Sequence, residues 1–269
     1  MSTIGFVGGG NMAEALIKGV IAAKLYAPDD VLVSDVRAER LESLSATYGA
    51  VAMQSNAELA AGVDTLVLSV KPQNMTDALN SIKDSVGSGT LIISIAAGIK
   101  VAKIAAALGD VAIVRVMPNT PALIGEGASA LFANKKAKPL LKKAMSIFRS
   151  VGKAVVVDDE DLIDAVTAVS GSGPAYFFLL MEEMIRSGVE LGLPETVAKD
   201  LVLQTAKGAG MLAVAADENA ESPAQLRKKV TSPGGTTEAA MKVFAEGDLG
   251  KLISAAVAAA RDRARELSK

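Results

Sequence analysis

The chain opens on Ile4-Gly5-Phe6-Val7-Gly8-Gly9-Gly10-Asn11-Met12-Ala13, four strand-like residues running through a glycine-rich turn into a helical pattern. The spacing is G-x-G-x-x-A. Gly8 allows the tight turn, Gly10 lets the backbone approach a ligand, and Ala13 lets the helix pack closely on the strand. Amides at the helix N-terminus then face whatever lies over the turn, and a diphosphate suits them. The spacing alone is a weak signal. Its place at the head of a strand–helix–strand unit makes it a strong one, and a nicotinamide dinucleotide is the expected ligand.

The pattern after the turn supports that frame. Short apolar runs at Val31–Ser34, Val51–Met53, Thr65–Ser69, Thr90–Ile95 and Ala112–Val116 alternate with helical patterns such as Met12–Leu25 and Ala38–Tyr48. Such alternation predicts an α/β fold of the Rossmann type, with a mainly parallel sheet. Ala128–Phe132 and Ala154–Val157 extend the sheet around a helix over Pro139–Val151. After the acidic cluster Asp158-Asp159-Glu160-Asp161 almost every segment reads as helix. These are Asp161–Val169, Pro174–Leu191, Pro194–Ala216, Pro223–Val230, Thr236–Glu246 and Leu249–Leu267, broken at Gly171–Pro174, Gly192–Pro194, Glu221–Pro223 and Ser232–Gly235. The expected division is 1–158, dinucleotide-binding, and 159–269, all-helical. A helical half this rich in Ala cannot bury itself alone, which predicts a homodimer.

Composition removes several chemistries. The chain has no Cys and no His, so thiolate nucleophiles, cysteine or histidine metal sites and histidine acid–base catalysis are excluded. Net charge is -2, with no basic block suited to nucleic acid or an anionic membrane surface. Ile163–Met181 is apolar but carries Asp164 and Gly171–Pro174, and reads as a buried helix pair rather than a membrane span. Met1-Ser2-Thr3 runs straight into the first strand without a basic leader, so a cytoplasmic protein is expected.

Further cofactor contacts are expected at the C-terminal edge of the sheet. Asp35 stands where a carboxylate would accept from a ribose 2′-hydroxyl of NAD, while Ser34 and Arg37 suit the 2′-phosphate of NADP, so the two readings compete. Lys71, held extended by Pro72, and Ala97 line the same edge. Towards the other end, Pro233-Gly234-Gly235-Thr236-Thr237 before a helix offers consecutive amides and two hydroxyls at a positive dipole end. It reads equally as a receptor for a small carboxylate or as a capped helix start. Met117–Pro121 and Ser170–Tyr176 are also hard to explain by packing alone.

Together these segments resemble the 1-pyrroline-5-carboxylate reductase family. The resemblance spans the whole chain and rests on the glycine turn, Val70-Lys71-Pro72, Pro118-Asn119-Thr120-Pro121, Asp161–Thr167, Ser170–Tyr176 and Ser232–Thr237. It implies an oxidoreductase that reduces 1-pyrroline-5-carboxylate to L-proline, the last step of proline biosynthesis, with NADPH or alternatively NADH. It implies a helical dimerisation domain and a ring of dimers. Carried onto this sequence, it places Thr237 against the imine nitrogen, with Gly234, Gly235 and Thr236 on the substrate carboxylate and Glu160 nearby. Gly8, Gly10, Asn11, Met12, Ser34, Asn56, Val70, Lys71 and Ala97 would hold the cofactor. Asp35 departs from the uncharged residue of many relatives, and Lys229 from an Asn of some.

The chemistry fits a chain without imidazole. A cyclic imine can carry its own proton, so the reaction needs a positioned hydride donor and one hydrogen bond to nitrogen. Three rivals remain: a β-hydroxyacid dehydrogenase, a reductase of another cyclic imine, and a nucleotide sensor without chemistry. The first would place a Lys on the helix after Gly171–Pro174, which here reads Ala175-Tyr176-Phe177-Phe178-Leu179-Leu180-Met181.

Overall fold

The computed structural model describes residues 2–268. Among them eight strands form one sheet in the order β3-β2-β1-β4-β5-β6-β7-β8. The strands are β1 Ile4–Val7, β2 Val31–Ser34, β3 Val51–Ala52, β4 Thr65–Leu68, β5 Leu91–Ser94, β6 Ala112–Met117, β7 Gly127–Ala133 and β8 Gly152–Val156. All pairings are parallel except β6 with β7. The strand order reverses between β1 and β4, and ligands of such sheets bind at that crevice.

Strand residues alternate between two apolar layers, as the two-residue period of a strand requires. Ile4, Phe6, Val67 and Ile93 join α1 (Asn11–Ala22), α2 (Ala38–Tyr48) and α6 (Leu141–Arg149) on one face. Val7, Leu66, Leu68 and Ile92 meet α3 (Asn56–Ala61), α4 (Met75–Ile82) and α5 (Val101–Leu108) on the other. Each fully buried Leu or Ile there contributes about 2 kcal/mol before the entropy of ordering is subtracted.

The later helices are α7 Leu162–Val166, α8 Gly173–Glu190, α9 Glu195–Asp217, α10 Pro223–Lys229, α11 Thr236–Glu246 and α12 Leu249–Leu267. The bounds of α11 and α12 are those expected from periodicity. One expectation fails. Gly171–Pro174 does not break the helix, because a π turn over Thr167–Gly171 carries α7 into α8 as one helix, Leu162–Glu190. A single chain does not bury that segment: Phe177 and Phe178 of α8 are 65% and 60% exposed.

The physical reason for the continuity lies in contacts from the end of β6. Pro174 has no N–H for the carbonyl four residues back. That carbonyl, of Ser170, instead accepts from Asn119 Nδ2 at 3.1 Å. At Gly171 a Cβ would lie 2.5 Å from Met117 Cε, so the π turn passes close to the side chain that ends β6, and a larger residue there would require that methionine to shift.

The chain divides into two compact units, one running to Pro174 and resuming at Ala259, the other Ala175–Ala258.

Candidate active site

At the end of β1 the backbone turns through Gly8, whose φ of 98° favours glycine. A Cβ at Gly8 would also lie 3.0 Å from the Ser69 carbonyl oxygen. The turn is pinned on both sides: Gly8 N–H donates to the Ser34 carbonyl at 2.8 Å, and Ser69 Oγ donates to the Gly8 carbonyl at 2.7 Å. Gly10 precedes α1 in extended backbone, and no side chain caps the helix. A Cβ at Gly10 would meet nothing within 4 Å, so the space over the first turn of α1 is open and its amides are bare. A diphosphate suits bare amides at a helix N-terminus.

Gly9 is held from both directions. Its N–H donates to Asp35 Oδ2 at 2.8 Å, and its carbonyl accepts from Arg40 Nε at 2.5 Å. Arg40 also donates to Glu14, which accepts from the Tyr48 hydroxyl as well. Asp35 accepts in addition from the backbone amide and the guanidinium of Arg37. Burial alone would push the Asp35 carboxyl up, but the Arg37 and Gly9 hydrogen bonds outweigh it and hold the pKa below its ordinary value.

Ser34 is buried at the end of β2, where its hydroxyl donates to Asn56 Oδ1 at 2.6 Å. Asn56, the first residue of α3, passes the network on to Ser81. These two expected cofactor residues are therefore adjacent. Lys71 follows β4 in extended backbone, with φ -62° and ψ 147°, and is exposed. Val70 and Ala97 are partly buried at the ends of β4 and β5.

Glu160 is held by a different set of partners. Its Oε1 accepts from Arg115 Nη1 at 3.0 Å and from the Val101 amide at 2.8 Å, tying β6 to the N-terminus of α5. Asp164 stands 3.8 Å from the second arm of Arg115, whose side chain is 2% exposed. The sequence reading did not single out Arg115. A lone cation in Ala112-Ile113-Val114-Arg115-Val116-Met117 was the available signal, because a buried charge demands a partner.

In the second unit Gly234 turns with φ 71° and Gly235 leads into α11. Gly234 N–H donates to Glu238 Oε2 at 2.7 Å, and Gly235 N–H donates to the Ser232 carbonyl at 3.0 Å. The amides of Thr236 and Thr237 make no such loop contact, as expected of first-turn donors. Thr237 is partly buried while Thr236 is exposed. Lys229 is paired with Glu221 at 2.5 Å.

A mainly parallel sheet with a pinned glycine turn, followed by a helical domain, defines the class of dinucleotide-dependent oxidoreductases. Comparison with known proteins narrows the class. A family model described as pyrroline-5-carboxylate reductase dimerisation matches residues 160–267, and one described as NADP oxidoreductase coenzyme F420-dependent matches residues 3–98. The chain is 45% identical to the pyrroline-5-carboxylate reductase of Pseudomonas aeruginosa, over 100% of this chain and 98% of that one. It superposes on a pyrroline-5-carboxylate reductase from Coxiella burnetii with a TM-score of 0.93 at 42% identity, covering 100% and 99% of the two chains. A Plasmodium falciparum pyrroline carboxylate reductase with NADP bound gives 0.87 at 32% identity, covering 100% and 98%. The chain belongs to the pyrroline-5-carboxylate reductase family.

Proposed function

We propose that this chain reduces 1-pyrroline-5-carboxylate to L-proline, with Thr237 as the catalytic residue that touches the substrate nitrogen. The observation that carries the assignment is the N-terminus of α11, where a left-handed Gly234 precedes free first-turn amides and a partly buried threonine hydroxyl. When bound, NADPH supplies the hydride for the C=N carbon. The protein's part is orientation. Thr237 Oγ accepts from the N–H of the protonated imine, which keeps that proton as hydride reaches the C=N carbon, and the amides of Thr236 and Thr237 face the substrate carboxylate at the positive end of α11. Gly234 and Gly235 join them once Glu238 and Ser232 release their N–H groups. Glu160, committed to Arg115 and Val101, serves the site by fixing the start of α5.

On the cofactor side, Gly8, Gly10, Asn11 and Met12 receive the diphosphate, Ser34, Arg37 and Asn56 the adenosine end, and Val70, Lys71 and Ala97 the nicotinamide end. The exposed apolar residues of α8 are covered by a second copy, in keeping with the dimerisation model that spans them. A ring of dimers in the cytoplasm is the assembly we assign, and sedimentation would read it as a mass that is a multiple of the dimer.

The test is steady-state kinetics of Thr237→Ala and Thr237→Ser. Alanine should lower kcat more than it raises KM, and serine should restore most of kcat. Unchanged kcat in the alanine variant, with only about 1 kcal/mol of lost stability, would make Thr237 an ordinary helix-start residue.

A further inference from the structure

The carboxylate of Asp35 has about four acceptor sites. Four donors already address them: the N–H of Gly9 at 2.8 Å, the amide of Arg37 at 3.0 Å, and Arg37 Nε and Nη2 at 3.0 and 3.3 Å. The side chain is also 8% exposed. A ribose hydroxyl could be accepted only by displacing one of these donors.

The Arg37 side chain presents the opposite case. A guanidinium carries five N–H groups. Asp35 takes two of them, which leaves three on a side chain that is 54% exposed. Arg37 is also the residue that leads into α2, just beyond the end of β2. In this fold that edge meets the adenosine ribose. A two-point carboxylate contact fixes the plane of a guanidinium, and a planar fork of free donors matches a phosphate.

We propose that Asp35 is a positioning residue for NADP recognition, which orients Arg37 toward the 2′-phosphate and accepts no ribose hydroxyl itself. The acid that would ordinarily mark an NAD site is here turned inward. It braces the glycine turn through Gly9 and aims a cation outward. This proposal rests on reading the turn as a dinucleotide site, and its test separates the two.

The experiment is equilibrium titration of the whole protein with NADPH and with NADH, followed by nicotinamide fluorescence in a chain that has no Trp. The proteins are wild type, Asp35→Asn, Arg37→Gln and the double variant, each checked by circular dichroism. Asparagine keeps an acceptor for Gly9 while losing the charge. Wild type should bind NADPH more tightly than NADH. Arg37→Gln should weaken NADPH about tenfold and NADH less than about twofold. Asp35→Asn should weaken NADPH relative to NADH by about threefold, and should add nothing to the ratio once Arg37 is gone. The NADPH affinity of wild type should also fall more steeply with salt than that of Arg37→Gln.

Tighter NADPH binding in Asp35→Asn, or a loss confined to NADH, would overturn the proposal and return Asp35 to the ribose. Equal loss for both cofactors would also overturn it, leaving Asp35 as a brace of the turn alone. A wild type that binds neither cofactor would remove the dinucleotide reading itself.

Discussion

Arg115 and Glu160 form an ion pair 3.0 Å long between a central strand of the sheet and the residue that opens the helical part of the chain. The arginine is almost wholly buried, and the same carboxylate oxygen accepts from the amide that begins α5. Removing Arg115 strands both the Glu160 and the Asp164 carboxylates, so Arg115→Ala should cost about 3 kcal/mol in denaturant unfolding. Glu160→Ala leaves Arg115 with Asp164 at 3.8 Å and should cost less. Arg115→Ala and Glu160→Ala should also lower activity alike, because both act through the start of α5. A fully stable Glu160→Ala with a raised KM alone would instead put Glu160 directly on the substrate.

Gly8 and Gly10 separate folding from binding. Gly8→Ala forces a side chain into φ 98° and against the Ser69 carbonyl, and should lower stability by about 1–3 kcal/mol. Gly10→Ala meets no neighbouring atom and should melt like wild type. Its methyl group would occupy the space over α1, so its Kd for NADPH should rise at least about tenfold. Normal NADPH affinity in Gly10→Ala would mean that the diphosphate lies elsewhere.

Much of the fold was legible because its signals were local. The period of α11 and α12 and the spacing of Gly8, Gly10 and Ala13 depend only on neighbours in sequence. The continuous helix through Gly171–Pro174 was not legible. Its stability depends on Asn119, some fifty residues earlier, satisfying the Ser170 carbonyl. The antiparallel turn of β7 against β6 was likewise hidden, since strand direction leaves no mark on apolar patterning. At the cofactor end Asp35 and Arg37 were both visible as candidates, but their sharing of one hydrogen-bond set was not. Arg40 and Glu14 were missed because their partners lie 31 and 26 residues away respectively.

Asn119 should accordingly be costly to truncate. It donates to the Ser170 carbonyl and accepts from the Ala128 amide, and Asn119→Ala leaves both unpaired. A loss of about 2–4 kcal/mol is expected in thermal or denaturant unfolding. A neutral Asn119→Ala would show that water satisfies both groups.

The acid limb of stability should report the clamp on Gly9. Asp35 is held below its ordinary 3.8, burial being outweighed by Arg37 and Gly9, and Glu14 below its ordinary 4.5, chiefly by its hydrogen bond from Arg40. A carboxylate with a depressed folded pKa contributes its full stability above the unfolded value and loses it as pH falls through the folded value. The difference in Tm between wild type and Asp35→Asn should stay constant from about pH 5 to pH 9 and close in stronger acid. A difference that changed near neutral pH would contradict a permanently ionised Asp35.

The most direct measurement is oxidation of NADPH by the purified chain with 1-pyrroline-5-carboxylate, beside a six-membered cyclic imine and a β-hydroxyacid under NADP reduction, with the amino-acid product identified. Turnover that yields L-proline, faster with the five-membered imine than with the six-membered one, is the expected result. Turnover of the hydroxyacid alone, or tight NADPH binding with no turnover of any of the three, would contradict it.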